Sequence, residues 1–223
     1  MKAIVLLRSP RLWLAIALTT CAVLAWFLSP SLRLRLRGDA PSRIAARAVN
    51  AHAYDDLWFD AARAGRTDIL SALLDAGYPI NATTSSGFTA VILTAYDEQP
   101  VALDYLIARG ANTCVGDRNG NTALMGALYK GNLDIARRLL RAGCPIDQAN
   151  NAGETALSFA AMFGRLTFID ILADNGADLA HRDRRGDSAS DVARKQGNDE
   201  SLEALKNAVT RSAQVRSPSQ PPR

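Results

Sequence analysis

Residues 118–143 read RNGNTALMGALYKGNLDIARRLLRAG, and this stretch decides the fold. Thr122 stands before a short apolar run that ends at Gly131, and a second run with paired leucines ends at Gly143. Threonine accepts hydrogen bonds from the unpaired amides at the start of a helix, while glycine adopts the left-handed conformation that often ends one. The stretch therefore predicts two short helices, each closed by a glycine.

The same pattern recurs along the chain with a period of 33 residues. Five sets of equivalent positions, here called columns, repeat the same type of residue every 33 residues. Among the glycine columns, Glu98 is the one departure. The columns are the turn glycines Gly87, Gly120, Gly153 and Gly186, the helix-ending glycines Gly65, Gly131, Gly164 and Gly197, the closing glycines Gly77, Gly110, Gly143 and Gly176, the leucines Leu73, Leu106, Leu139, Leu172 and Leu205, and the small residues Ala61, Thr94, Ala127, Ala160 and Ala193. A repeat of this length indicates a solenoid, because one unit alone cannot bury its apolar face and must stack on its neighbours.

The segments NGNTAL (119–124), RLLRAG (138–143) and LADNGAD (172–178) resemble the signature of ankyrin repeats. The resemblance covers about residues 55–207 and implies an all-α ankyrin-repeat solenoid, with two helices and a hairpin finger in each unit. About four to five units are expected, at about residues 55–84, 85–117, 118–150, 151–183 and 184–207. Thr89, Thr122, Thr155 and Ser188 are expected to cap the first helix of their units.

One unit departs from the pattern at the end of its first helix. Glu98 stands where the other units have a glycine, and Pro100 follows closely. We expect this turn to be reshaped, and to be longer or less regular than its counterparts.

The N-terminal region contains an uncharged apolar segment, LWLAIALTTCAVLAWFL, at 12–28. The predicted organisation is a basic N-terminus at 1–11, a transmembrane helix or signal anchor at 12–32, a basic juxtamembrane linker at 33–54 and, after the repeats, a disordered tail at 208–223. A retained anchor fits best, because apolar residues continue past any good cleavage site. A cleaved secretory signal and a lipoprotein signal at Cys21 are the alternatives.

This segment also gives an expectation for where the protein lies in the cell. We expect a single-pass protein of the bacterial inner membrane with its repeats in the periplasm, or a secreted periplasmic protein if the signal is cleaved. Basic residues flank both ends of the segment, so the charge distribution does not fix the orientation.

Charge is distributed unevenly along the chain. Residues 55–205 carry 14 Lys and Arg against 21 Asp and Glu, a net charge of −7, whereas residues 1–54 carry +7 and residues 206–223 carry +4. An acidic repeat region argues against nucleic-acid binding, which needs clustered cations. Cys114 and Cys144 are interpreted as two lone thiols, and the absence of a CxxC or Cys/His cluster from the sequence argues against a zinc site.

The sequence offers no catalytic constellation. Lys130 precedes Gly131, so the glycine-rich segment lacks the order of a phosphate-binding loop. His181 is interpreted as a solvated side chain in a finger. We therefore predict a protein that is not an enzyme, has no cofactor, metal or small-molecule substrate, and is monomeric.

In ankyrin repeats, partners bind to the finger tips and to the exposed residues of the first helices on the concave face. Carrying those positions over predicts a partner-binding surface of Phe88, Tyr96, Arg118, Asn119, Asn121, Tyr129, Lys130, Glu154, Met162, Phe163, Arg184 and Arg185. The alternative is that some of these side chains fold inward. The resemblance implies a membrane-tethered scaffold or adaptor for another protein, and the alternative function is an immunity or inhibitor protein that neutralises an enzyme or toxin.

Overall fold

A computed structural model describes residues 51–216, which form a row of paired α-helices. A 3-10 turn at Ala51–Tyr54 leads into them. The helices are α1 (Asp55–Arg63), α2 (Thr67–Asp75), α3 (Ala90–Tyr96), α4 (Pro100–Ala108), α5 (Ala123–Lys130), α6 (Leu133–Arg141), α7 (Ala156–Met162), α8 (Leu166–Asp174), α9 (Ala189–Lys195) and α10 (Asp199–Arg216). The predicted all-α helical repeat is confirmed, and odd-numbered helices are the first helix of each unit.

The predicted caps start the four first helices after α1. The hydroxyl of Thr89 accepts a hydrogen bond from the backbone N–H of Ile92 at 3.2 Å, and that of Ser188 accepts one from Asp191 at 3.2 Å. Thr122 and Thr155 cap α5 and α7 in the same way. These bonds satisfy amides that a helix start otherwise leaves without a partner.

Glu98 keeps the regular turn, so the prediction of a longer or reshaped turn is wrong. Its φ is 56°, the left-handed value that glycines adopt at the same position in the other units. The backbone N–H of Gln99 donates to the carbonyl of Thr94 at 2.8 Å, matching the 2.9 Å bond from Asn132 to Ala127 in the next unit. The hydrogen bonds of the turn therefore hold the backbone of Glu98 in a conformation that glycine would adopt more easily.

Small residues on the first helices and leucines on the second helices form the core. Ala127, Ala160 and Ala193 are fully buried, which lets neighbouring first helices approach closely. The leucine column is buried in all five units: Leu73, Leu106, Leu139, Leu172 and Leu205. Each unit thus completes its core with its neighbours, as stacking in a solenoid requires.

Hydrogen bonds also join neighbouring fingers. The backbone N–H of Asn151 donates to Asn119 at 2.8 Å, and that of Arg184 donates to Ala152 at 2.9 Å. The His181 side chain is half-buried and lies 2.9 Å from the carbonyl of Gly153, so the interpretation of a solvated histidine is wrong. These bonds hold the finger tips in a fixed row.

The bases of the hairpins are tied by a second set of bonds. The side chain of Asn81 accepts a hydrogen bond from the backbone N–H of Asn112 at 2.8 Å, and Asp147 accepts one from Asp178 at 2.9 Å. Both bonds join a residue to one that lies 31 positions further along the chain.

The junction between these two is different, because it is covalent. Cys114 and Cys144 form a disulfide, so the interpretation of two lone thiols is wrong. Cys114 occupies the position of the accepting side chains, and the donor position holds Pro145, which has no N–H. The disulfide at Cys144, one residue before the proline, therefore stands where this junction lacks the hydrogen bond that the other two junctions form.

The C-terminal region differs from the predicted tail. Helix α10 continues to Arg216, so residues 208–216 are helical instead of disordered. Ala208 is buried, and Arg211 pairs with Asp170 on α8. The end of the array is thereby covered by a long amphipathic helix, while residues 217–223 lie outside the described part.

The predicted membrane segment at 12–32 also lies outside the described residues. Within residues 51–216, no helix combines the length and the apolar character needed to span a bilayer.

Candidate functional site

Three aromatic side chains lie in contact at the ends of successive first helices. Tyr96 and Tyr129 are stacked, with ring centroids 6.0 Å apart, and the ring of Phe163 meets Tyr129 edge-on at 5.1 Å. Tyr96 is 38% exposed, Tyr129 is 47% exposed, and Phe163 is half-buried. We name Tyr96, Tyr129 and Phe163 the aromatic row; the structure brings these three predicted residues together on the surface.

At one end of this row, the Tyr96 side chain contacts a cation and its hydroxyl has a raised pKa. The ammonium of Lys130 lies 4.9 Å from the centre of the Tyr96 ring, a distance at which a cation is attracted to the ring face. Burial raises the pKa of the Tyr96 hydroxyl, and the neighbouring Tyr129 raises it further. The Tyr96 hydroxyl is therefore neutral near pH 7, and the cation at this end of the row is Lys130.

The next unit holds the middle of the row in place. The guanidinium of Arg165 donates to the backbone carbonyls of Leu128 at 2.8 Å and Tyr129 at 3.0 Å. It lies over Gly131, where a Cβ atom would come within 2.9 Å of the guanidinium carbon. Arg165 thus closes the end of α5 and fixes the backbone that carries Tyr129.

A pocket of about 380 Å³ opens beside the aromatic row. Gly126, in the middle of α5, is one of its lining residues, and the corresponding residues of the neighbouring units are Leu93 and Phe159. A Cβ atom at Gly126 would lie 3.5 Å from the ring of Tyr96. The lining residues are Arg63, Phe88, Ile92, Leu93, Tyr96, Asp117, Asn121, Thr122, Gly126, Tyr129 and Phe159.

Sequence reasoning found only part of this pocket. It placed Phe88, Asn121 and the two tyrosines on the surface, but it missed Arg63, Gly126 and Phe159. The available signal was the column that contains Leu93, Gly126 and Phe159, in which a glycine stands between two large side chains.

The finger tips beside the pocket are rigid and polar. The carboxylate of Asp117 accepts hydrogen bonds from the backbone N–H groups of Asn119 at 2.8 Å and Asn121 at 2.9 Å. The side-chain oxygen of Asn121 accepts another from Asn150 at 2.8 Å. Arg118, Asn119 and Arg184 are exposed at the tips, where the prediction placed them.

Two other predicted residues pair with each other. Arg185 lies 2.9 Å from Glu154 and 3.0 Å from Asp183, and Glu154 is only 14% exposed. Although burial raises the pKa of the Asp183 carboxyl, hydrogen bonds from Asp187 and Arg185 hold it below its usual value. Glu154 and Arg185 therefore join two units through ion pairs, and Met162 lies half-buried beside them.

None of the twelve predicted side chains is fully buried. Seven are exposed: Tyr96, Arg118, Asn119, Tyr129, Lys130, Arg184 and Arg185. Five are half-buried: Phe88, Asn121, Glu154, Met162 and Phe163. Across residues 51–216, no group of three or more His, Cys, Asp or Glu side chains is placed to hold a metal ion.

Comparison with known proteins identifies the repeat. A family model described as ankyrin repeats (3 copies) matches residues 58–150 and 131–215. The chain is 34% identical over 131 residues to an ankyrin repeat-containing protein of Treponema pallidum (strain Nichols), a match that covers 58% of this chain and 44% of that protein.

Two further relatives are much longer than this chain. It is 37% identical over 79 residues to the inactive serine/threonine-protein kinase TEX14 of Bos taurus, covering 35% of this chain and 5% of that protein. It is 29% identical over 147 residues to the ankyrin repeat and KH domain-containing protein mask-1 of Caenorhabditis elegans, covering 65% of this chain and 6% of that protein. The chain thus spans less than half the length of each of these three relatives. Because the two matches of the family model together span residues 58–215, more than half of the chain, the chain belongs to the ankyrin-repeat family.

Proposed function

We propose that this chain is a membrane-anchored ankyrin-repeat module that binds a protein partner through its finger tips and concave face, and that it acts as a scaffold or adaptor. Ankyrin repeats generally mediate protein–protein interaction, and no enzyme family is indicated. The anchor is the apolar segment at 12–32.

The aromatic row is the observation that carries this proposal. Tyrosines that are 38% and 47% exposed stack on each other at the surface, outside the core. Aromatic residues are enriched at the centres of protein interfaces, because they bury a large area while losing little side-chain freedom. Arg165 fixes the backbone of Tyr129, so the surface is arranged before a partner arrives.

The disulfide supports the periplasmic location. Disulfides form and persist in oxidising compartments and are rare in the cytosol. The Cys114–Cys144 bond therefore favours a repeat region on the exported side of the membrane.

Alanine substitution of the aromatic row tests the proposal. Tyr96→Ala and Tyr129→Ala should each weaken capture of the cellular partner by the full chain about tenfold or more, as expected for interface hot spots. Their thermal midpoints should stay within a few degrees of the wild type, because both side chains are exposed. The measurement is quantitative affinity capture with mass spectrometry.

Tyr54→Ala is the matched control, because Tyr54 is 43% exposed and lies outside the row. It should leave capture unchanged. Undiminished capture by both row variants would sink the proposal, and unfolding of those variants would mean that the row is part of the core.

A further inference from the structure

We propose that the pocket beside Gly126 binds one large apolar side chain, preferably aromatic, that projects from an acidic segment of the protein partner. This inference rests on the proposed function and adds the chemistry of the bound segment.

The pocket exists because one side chain is missing from a column. Leu93 and Phe159 fill the corresponding positions of the neighbouring units, while Gly126 leaves its position open. Gly126 does not have a left-handed φ, and a Cβ there would meet Tyr96 at an ordinary contact distance of 3.5 Å. Neither the backbone nor the packing requires glycine, which costs about 1 kcal/mol relative to alanine inside a helix. What the glycine provides is open volume.

The walls of this volume favour an aromatic occupant. Four rings line it, those of Phe88, Tyr96, Tyr129 and Phe159. Aromatic rings attract one another in offset and edge-to-face arrangements, beyond the gain from buried area alone. The edge-on contact between Tyr129 and Phe163 is an example of this geometry on the same surface.

The polar groups of the pocket already have partners. The carboxylate of Asp117 accepts three hydrogen bonds from its own finger, and the Asn121 side-chain oxygen accepts one from Asn150. The Thr122 hydroxyl caps α5. Lys130 already lies over the ring of Tyr96, so a second cation at that ring would be repelled. An apolar, uncharged side chain is the occupant that loses no hydrogen bond on entering.

The finger tips beside the pocket carry cations and no acid, although the repeats as a whole are acidic. At the finger tips, Arg118 and, two fingers further along, Arg184 are exposed and form no ion pair with any described carboxylate. Lys130, at the end of α5, is likewise exposed and without such a pair. Arg63 pairs with Asp97 at 3.8 Å, and Glu98 is the exposed acid at the end of α3. The finger tips include no acid, and their eight residues are Ser85, Ser86, Arg118, Asn119, Asn151, Ala152, Arg184 and Arg185. A segment with Asp or Glu beside its aromatic residue, on the side of the finger tips, complements them.

A peptide-display selection tests this chemistry directly. The bait is the full chain, in a nanodisc if its apolar segment requires one, and the probe is a library of random dodecapeptides. We expect the enriched peptides to share Trp, Phe or Tyr within two residues of Asp or Glu. Enrichment without an aromatic residue, with basic flanking residues, or no enrichment at all would overturn the inference.

Variants then assign the binding to the pocket. Gly126→Leu fills the volume of the pocket and should lower the affinity for an enriched peptide at least tenfold. Gly126→Ala, which the 3.5 Å spacing accommodates, should fold at least as stably as wild type and weaken binding less, so the test survives if leucine disturbs the fold. Arg118→Glu and Lys130→Glu should weaken binding most at low salt, and Arg141→Glu, an exposed change on a second helix, should not.

The outcomes separate this inference from the proposed function. If Tyr129→Ala weakens binding of the peptide while Gly126→Leu does not, the aromatic row remains the binding surface, and the assignment of the peptide to the pocket is wrong. If neither variant changes binding, both fail.

Discussion

At the scale of single residues, two departures from the repeat change the local structure, one in the backbone and one in the packing of side chains. Glu98 occupies a left-handed position that is a glycine in every other described unit. Gly126 leaves a gap where its neighbours have large side chains. The first departure strains the backbone, and the second opens a surface pocket.

Glu98→Gly should stabilise the protein. A residue with a Cβ atom loses roughly 1–2 kcal/mol in the left-handed conformation, and part of this gain is offset by the greater freedom of glycine in the unfolded chain. We expect a net increase of about 1 kcal/mol in the free energy of unfolding, measured by urea denaturation. Glu98→Ala is the control, because it removes the charge but keeps the strain. An equal gain from both variants would show that charge, and not φ, is the cause.

At the scale of elements, the helices could be predicted from the sequence because their signals are local. Thr122 and Gly131 each act within one turn of α5, so their types alone gave the start and the end of the helix. The turn at Glu98 was predicted wrongly, because the hydrogen bond from the Gln99 backbone N–H to the carbonyl of Thr94 overrides the preference of one residue. The lining of the pocket comes from four units, which a pattern read along one repeat does not display.

The disulfide was missed for a related reason. Its cysteines are 30 residues apart in the sequence. They lie close together only because residues about one period of 33 apart are neighbours when the units stack. The stronger signal was the combination of Cys114 at an acceptor position and Pro145 at the matching donor position. Together they indicate a junction that cannot form its usual hydrogen bond.

Reduction of this disulfide should destabilise the repeats. Closing a loop of 30 residues stabilises a protein by about 3–4 kcal/mol through the entropy of the unfolded chain. Adding dithiothreitol should therefore lower the free energy of unfolding by about this amount. The Cys114→Ser, Cys144→Ser double variant, which keeps Cys21, should match the reduced protein and no longer respond to dithiothreitol. A wild-type protein that does not respond would contradict the structural role of the bond.

At the scale of the whole molecule, we propose a membrane anchor and a partner-binding face on a stack of repeats. The repeats follow from the period of the sequence, whereas the location depends on residues 12–32 and on the disulfide. A reporter enzyme that is active only after export, fused behind Arg223, should be active in bacterial cells. Activity confined to a reporter that works in the cytoplasm would reverse the proposed orientation.

The binding face is the central claim, and site-specific photocrosslinking tests it most directly. Benzoylphenylalanine replaces Tyr129 in the full chain, in the cells that make it, and Val101, which is 72% exposed on α4, is the control position. The account predicts one discrete crosslinked protein from position 129 and none from position 101. No discrete product from position 129, or the same products from both positions, would contradict it.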